Sequence, residues 1–251
     1  MTVLEISALL VLGLLAGGIN TLAGGGSNLT VPALMVMGMP AEVANATNRV
    51  GIFLQCLTGT LGFKRHNQLD TQDLSGILWP MFVGGLAGSA AAAFAPSYLI
   101  KYLLLGAMLS VTGLMLLRSE VMSPEADEPV KRVNDTPSAW PALLFAGFYG
   151  GFVQAGVGFV LLAALVGSLR YDLIKANALK LVCTLGFTAV ALVMFIWQGQ
   201  VSWLPALVLA AGYMVGAQLA VKLAISAKPQ TLKRFLFAMT LVACVAALFS
   251  D

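Results

Sequence analysis

Two glycine clusters interrupt long apolar stretches of this 251-residue chain, and they do so at matching places. The first reads Gly17-Gly18-Ile19-Asn20-Thr21-Leu22-Ala23-Gly24-Gly25-Gly26-Ser27-Asn28-Leu29. The second reads GFYGGFVQAGVGFVL over residues 147–161. Gly24 and Gly26 register with Gly156 and Gly158, and Ala44-Asn45-Ala46 with Ala176-Asn177-Ala178, at a constant spacing of 132 positions. Non-helical backbone persists at membrane depth only where it is buried in protein or lines a cavity. Broken helices at corresponding places in two halves are the sequence signature of a transporter built from internal repeats.

That reading needs a membrane, and composition supplies one. Hydrophobic residues make up 59% of the chain and charged residues 10%, against about 25% charged in an ordinary soluble domain. The net charge of +3 is too small to suggest a nucleic-acid partner. Cys56, Cys183 and Cys244 are dispersed through apolar stretches, without the spacing of a metal site or a disulfide framework. No metal or cofactor is expected. Met1-Thr2-Val3-Leu4-Glu5 lacks the basic start of a cleavable signal, so the first apolar stretch is expected to remain.

Apolar stretches recur near the ~20 residues needed to cross a bilayer. They are Val3–Ala23, a short piece Leu29–Met37, Ala44–Phe63, Leu74–Ala95 and Leu99–Leu117. The second half repeats the order with Trp140–Ala155, Phe159–Leu169, Ala176–Trp197, Trp203–Ile225 and Leu232–Phe249. The polar segment Arg118–Ser138 separates the halves. The expected fold is therefore an all-α polytopic membrane protein of two inverted repeats. Residues 1–117 form the first, 118–138 a cytoplasmic linker and 139–251 the second. Each repeat has a glycine-broken, re-entrant or V-shaped hairpin plus three spanning helices.

The basic residues choose between topologies. If each broken segment enters and returns to the same side, Lys64, Arg65, Arg118, Lys131, Arg132, Arg170, Lys175, Lys222, Lys228, Lys233 and Arg234 share one side, and Lys101 stands alone on the other. If each broken segment crosses once, the basic residues split between the two sides. Only the hairpin arrangement obeys the positive-inside rule. Both termini and the turn Gln198-Gly199-Gln200 then face outward, with Trp197 and Trp203 as interfacial aromatics.

Arg49 and Lys180 fall within spans, within one position of each other in the two halves. A cation there costs a few kcal/mol, so it pairs, faces a polar cavity or snorkels to a headgroup. The glycine breaks offer the rest of an anion site: free N–H groups at a helix start and backbone open to close approach. Gly24, Gly25, Gly26, Ser27 and Asn28 form the first break, and Gly156 and Gly158 the second. Ser27, Asn28 or Thr30 is a candidate cap for the short helix. Asn20, Gln154, Thr47 and Asn48 add polar groups, and Asn45 and Asn177 are equivalent, as caps or as interhelical hydrogen-bonding groups. Tight helix packing is the competing explanation for any single glycine. Gly13, in the regular part of the first helix, is expected to tolerate substitution better unless it is itself a packing contact.

The run GGINTLAGGGSNLTVPALMVMGMPAEVANATNR resembles the first-repeat signature of the TauE/SafE family of sulfite exporters, with its glycine cluster, Pro32, the Gly38-Met39-Pro40 turn and the Ala-rich helix start ending Ala46-Thr47-Asn48. GFYGGFVQAGVGFVLLAAL and IKANALK are similar to the second signature, although Pro32 is matched by Ala164 and Thr47 by Leu179. The resemblance implies transport of sulfite, sulfonates or related sulfur oxyanions across the cytoplasmic membrane of a prokaryote. A small anion and the lipid bilayer are the expected partners, and a homo-oligomer is allowed. Export by alternating access is favoured, because expelling one negative charge gains ~2.3 kcal/mol per 100 mV. A passive anion channel and an uptake carrier for another small organic anion are the alternatives. An intramembrane enzyme is disfavoured: the single histidine, His66, lies in a loop, and no Gly-x-Ser-x-Gly or His-Glu-x-x-His pattern occurs.

Overall fold

A computed structural model describes residues 1–96, 102, 103, 106 and 129–226. Eight helices are described. α1 spans Val3–Leu22, α2 Ser27–Val36, α3 Ala41–Arg65 and α4 Leu74–Phe94. After a 3₁₀ turn at Val133–Asp135 come α5 Ala139–Phe152, α6 Val157–Leu162, α7 Leu173–Trp197 and α8 Trp203–Ser226. The expected spans Leu99–Leu117 (apart from Tyr102, Leu103 and Gly106) and Leu232–Phe249 lie outside the described residues. So do Lys101, Arg118, Lys228, Lys233, Arg234, Cys244 and the linker up to residue 128.

Local chemistry sets the helix limits. Thr2 and Glu5 form a reciprocal capping box at the start of α1, with Thr2 N–H donating to Glu5 Oε2 at 2.8 Å and Glu5 N–H to Thr2 Oγ1 at 3.2 Å. α1 ends where Gly24 takes φ +103, and α5 ends before Gly156 takes φ +75, a left-handed backbone that side-chain-bearing residues adopt only with strain. Asp172 caps α7 by accepting from the N–H groups of Ile174 and Lys175, both at 3.0 Å. α1, α4, α7 and α8 are long and apolar enough to cross a membrane. α3 is 25 residues long, or about 37 Å at 1.5 Å per residue, but carries Glu42, Arg49, Lys64 and Arg65. Its apolar face is accordingly interrupted.

Two helix pairs cross through glycines at i, i+4 spacing. In one, Gly13 and Gly17 of α1 meet Gly212 and Gly216 of α8, where a Cβ at any of the four would run into a backbone carbonyl. In the other, Gly84 and Gly88 of α4 meet Gly147 and Gly151 of α5 in the same way. Small residues let backbones approach when lipid offers no hydrophobic drive for association. This corrects the milder expectation for Gly13, which is a packing contact. Contacts advance together along each pair: the Leu10 and Leu14 carbonyls of α1 meet Gly212 and Gly216, and the Met81 and Gly85 carbonyls of α4 meet Gly147 and Gly151. α1 and α8 are thus parallel, as are α4 and α5. α3 runs with α8, since Gly51 lies beside the Tyr213 ring and Gly62 beside Val221.

One end of the bundle collects the polar loops. Lys131 N–H donates to the Leu169 carbonyl at 2.9 Å, and Val133 N–H to Asp73 Oδ2 at 2.6 Å. Burial and the nearby Asp70 and Asp73 push the Tyr171 hydroxyl up to about 12, so it stays neutral. Lys64, Arg65, Lys131, Arg132, Arg170, Lys175 and Lys222 belong to this end. At the opposite end, Ser202 N–H donates to Thr47 Oγ1 at 3.0 Å, and exposed Trp197 and Trp203 flank the α7–α8 turn.

Candidate functional site

The two breaks meet inside the bundle. A Cβ at Gly24 would run into the Gly158 Cα, and one at Gly158 into the Gly24 Cα, so bare backbone touches bare backbone. Gly26 presses on the Ala16 carbonyl and on Asn20 Cβ. The chain after the first break therefore lies back along α1, beside residues more than a turn before its end.

Polar side chains close the first break. The hydroxyls of Thr30 and Tyr213 donate to Asn48 Oδ1 at 2.7 and 2.9 Å, and Asn48 Nδ2 donates to Ser27 Oγ at 3.3 Å. Thr30 and Tyr213 hydroxyls are also 3.0 Å apart. Beside this network, Asn20 Nδ2 donates to Gln55 Oε1 at 2.8 Å, and Gln55 Nε2 to Thr21 Oγ1 at 3.0 Å. Other bonds serve the second break. Gln154, itself at φ +65, donates through Nε2 to Thr188 Oγ1 at 2.9 Å, and the Tyr149 hydroxyl donates to the Ala155 carbonyl at 2.7 Å. Gln154 Oε1 is buried with no hydrogen-bond partner.

Each buried cation reaches across to a helix that ends at one of the breaks, Arg49 to α5 and Lys180 to α1. Arg49 on α3 donates through Nη1 to the Gly150 carbonyl at 3.0 Å. Its Nη2 donates to the carbonyls of Gly151 at 2.7 Å and Phe152 at 3.3 Å. The guanidinium lies 5.0 Å from the Phe195 ring centroid. These carbonyls end α5, where the helix dipole is negative and the last turn holds no basic residue of its own. Lys180 on α7 donates to the Thr21 carbonyl, in the last turn of α1, at 2.9 Å, and to Asn177 Oδ1 at 2.7 Å. Among the described residues, Arg49 and Lys180 are the charged side chains that are buried, and no Asp or Glu is buried with them.

A small void of about 10 Å³, room for roughly one water, lies between the breaks. Asn20, Gly24, Ser27, Gln154, Gly158 and Lys180 line it, so six of the residues singled out in the sequence converge there. Asn48 joins them through Ser27, and Asn177 through Lys180. Gly25, Gly26, Asn28 and Gly156 are buried in the breaks. Arg49, Asn45 and Thr47 sit elsewhere: Arg49 at the end of α5, Asn45 Nδ2 3.5 Å from the Phe152 carbonyl, and Thr47 on the α7–α8 turn. The expected caps also change. No side chain caps α2, and the N-cap positions of α3 and α7 are held by Pro40, which makes no capping bond, and Asp172, so neither Asn45 nor Asn177 is an N-cap.

Sequence reading missed Tyr213, Thr184 and Thr188. Tyr213 is fully buried in a mainly apolar helix whose Gln218 and Lys222 are exposed. A buried phenol needs a hydrogen-bond partner, and that was the available signal.

Comparison with known proteins follows the same lines. A family model described as sulfite exporter TauE/SafE matches residues 9–247. A probable membrane transporter protein of Haemophilus influenzae is 29% identical over 229 residues, covering 91% of this chain and 88% of its own length. The probable membrane transporter protein YfcA of Escherichia coli K12 is 28% identical over 223 residues, covering 89% and 82%. A probable membrane transporter protein, ORF9, of a Sinorhizobium species is 22% identical over 237 residues, covering 94% and 90%.

Proposed function

Because the chain belongs to the sulfite exporter TauE/SafE family of membrane transporters, we propose that it exports a small anion, sulfite or a related sulfonate or sulfur oxyanion, across a prokaryotic cytoplasmic membrane. The carrying observation is the meeting of the two breaks at a void lined by Lys180, a buried cation with no buried carboxylate beside it among the described residues. An anion entering that void supplies the missing counter-charge. Asn20, Ser27, Gln154 and the backbone of Gly24 and Gly158 surround it, while Asn45 and Arg49 act at the end of α5 and Thr47 at the α7–α8 turn.

The inverted-repeat architecture belongs to the same proposal. Exchange of halves turns the α1–α8 crossing into the α5–α4 crossing, and both are glycine-mediated and parallel. It also turns the Lys180 cap on α1 into the Arg49 cap on α5. Contact of Gly26 with Ala16 supports a chain that re-enters after α1. The end carrying Lys64, Arg65, Lys131, Arg132, Arg170, Lys175 and Lys222 is read as cytoplasmic, which puts the N-terminus outside. Residues 1–117 and 139–251 are then the two repeats about a cytoplasmic linker. With a void of one water, substrate passage requires the breaks to separate, and rocking of one half against the other provides that.

Transport in liposomes with a panel of sulfite, sulfate, thiosulfate, short sulfonates and carboxylates tests the reading. Saturable flux that accelerates with substrate on the far side is expected of a carrier. Non-saturating flux without exchange identifies a channel, and flux of none of these anions overturns the proposal. For orientation, a cysteine at Gln200 should react with an impermeant reagent in intact cells and one at Arg132 should not.

A further inference from the structure

We infer that the cavity carries one working positive charge, that of Lys180, and selects a substrate with a single negative charge, whereas Arg49 is a strut that positions the second broken helix. This rests on the transport reading above and names the charge class of substrate at the same site.

The two cations look equivalent in sequence, but their surroundings differ. Both terminal nitrogens of Arg49 are committed to three carbonyls at the end of α5, and its guanidinium lies over Phe195; its Nε is buried without a partner, so position, not donor count, separates it from Lys180. Arg49 is absent from the void lining. Its charge therefore answers the negative end of a helix dipole and the carbonyls that a helix terminus leaves open. Lys180 lines the void. An ammonium has three N–H donors, and two are used, on Thr21 and Asn177. One donor remains, on a side chain that is 1% exposed. Its two partners are neutral, so they orient the charge without cancelling it.

A buried charge without a counter-ion is costly, and an arriving monoanion relieves that cost. A dianion would bring a second charge out of water with no second cation to meet it. Neutral groups complete the site. Gln154 Oε1 has no partner, and oxygen and nitrogen of an amide exchange places on a flip. The flipped amide keeps Thr188 as its partner, now as donor, and turns its NH₂ to the position the orphaned oxygen holds. That provides a donor to an oxyanion without adding charge.

The test uses the full chain, purified and reconstituted, with methanesulfonate and sulfate as probes of similar shape and different charge. Methanesulfonate should move at least about tenfold faster than sulfate, the factor that ~1.4 kcal/mol produces. In detergent, methanesulfonate should raise the melting temperature of the wild-type protein and sulfate should not, a measurement that needs no variant. Lys180→Gln should abolish both responses and Lys180→Arg should restore part of them. Arg49→Gln should lower the melting temperature in the absence of any anion. Equal rates for the two probes, or a folded Lys180→Gln protein that keeps the methanesulfonate-induced shift, would overturn the inference and leave the transport reading standing. Failure of every anion in the wider panel to move would instead remove the transport reading, and this inference with it.

Discussion

At the first break, side chains bridge the gap; at the second, strained backbone and packing do so. Ser27, Thr30, Asn48 and Tyr213 tie α2, α3 and α8 together around Gly24. The second break places both Gln154 and Gly156 at positive φ, and the non-glycine member costs about 1–3 kcal/mol. The short helices differ too. α2 runs ten regular residues despite Pro32, whereas α6 runs six and then widens into a π turn over Ala163–Ser168. Compensation at the helix ends is unequal in the opposite sense, with three carbonyls on Arg49 and one on Lys180. The two breaks thus carry unequal chemistry. Local strain at Gln154 is relieved when the second break rearranges, and Arg49 fixes the helix that leads into it.

The largest effect is expected where the breaks touch. Gly24→Val and Gly158→Val should each destabilise the protein by about 3 kcal/mol or more, because overpacking here meets backbone that has no rotamer to yield. Gly26→Val faces the Ala16 carbonyl and Gly13→Val the Leu209 carbonyl, and both belong in the same class. Yield and thermal unfolding in detergent measure this. A wild-type melting temperature for Gly158→Val would show that the two breaks do not meet.

The cation comparison comes next. Arg49→Gln should cost about 2–3 kcal/mol, since it leaves buried carbonyls without a charged donor. Lys180→Gln should cost less, because removing a buried charge also removes its desolvation penalty. Its loss should appear in anion binding. Equal stability losses with equal binding losses would erase the distinction between strut and site.

Smaller effects sharpen the contrast between the breaks. Tyr213→Phe and Thr188→Val should each cost about 1 kcal/mol. Combined with Thr30→Val, Tyr213→Phe should be non-additive, because both hydroxyls serve Asn48. Combined with Thr188→Val, it should add to within about 0.5 kcal/mol. Strong coupling between Tyr213 and Thr188 would mean that the two breaks act as one network. The smallest effect is expected at Gly18, where an added Cβ would meet only the Gly216 carbonyl at 3.8 Å. Gly18→Ala should change stability by less than about 1 kcal/mol, measured in the same unfolding assay. A larger loss would show that the α1–α8 crossing is tighter than its geometry indicates.

Much of the frame was legible in the sequence because span length and chain breaks are local. The stretches expected at Leu74–Ala95, Ala176–Trp197 and Trp203–Ile225 became helices Leu74–Phe94, Leu173–Trp197 and Trp203–Ser226. Gly24 and Gly156, singled out for permissive backbone, adopt positive φ. Every candidate site residue is buried, as polar groups inside apolar stretches must be when lipid offers them no partner.

Which partner each group took was a different matter. Arg49 and Lys180 are near-equivalent by position, yet one spans to α5 more than a hundred residues later and the other back to α1. Tyr213 entered the first break from a mainly apolar helix. Gly13 looked like an ordinary helical residue until α8 was placed against it. Sequence by itself determined where the chain could cross, where it had to break and which side chains could not face lipid, since each follows from a residue and its near neighbours. Only the tertiary structure decided which cation faces the void and which caps a helix, because a hydrogen bond depends on atoms within about 3 Å, wherever they lie along the chain.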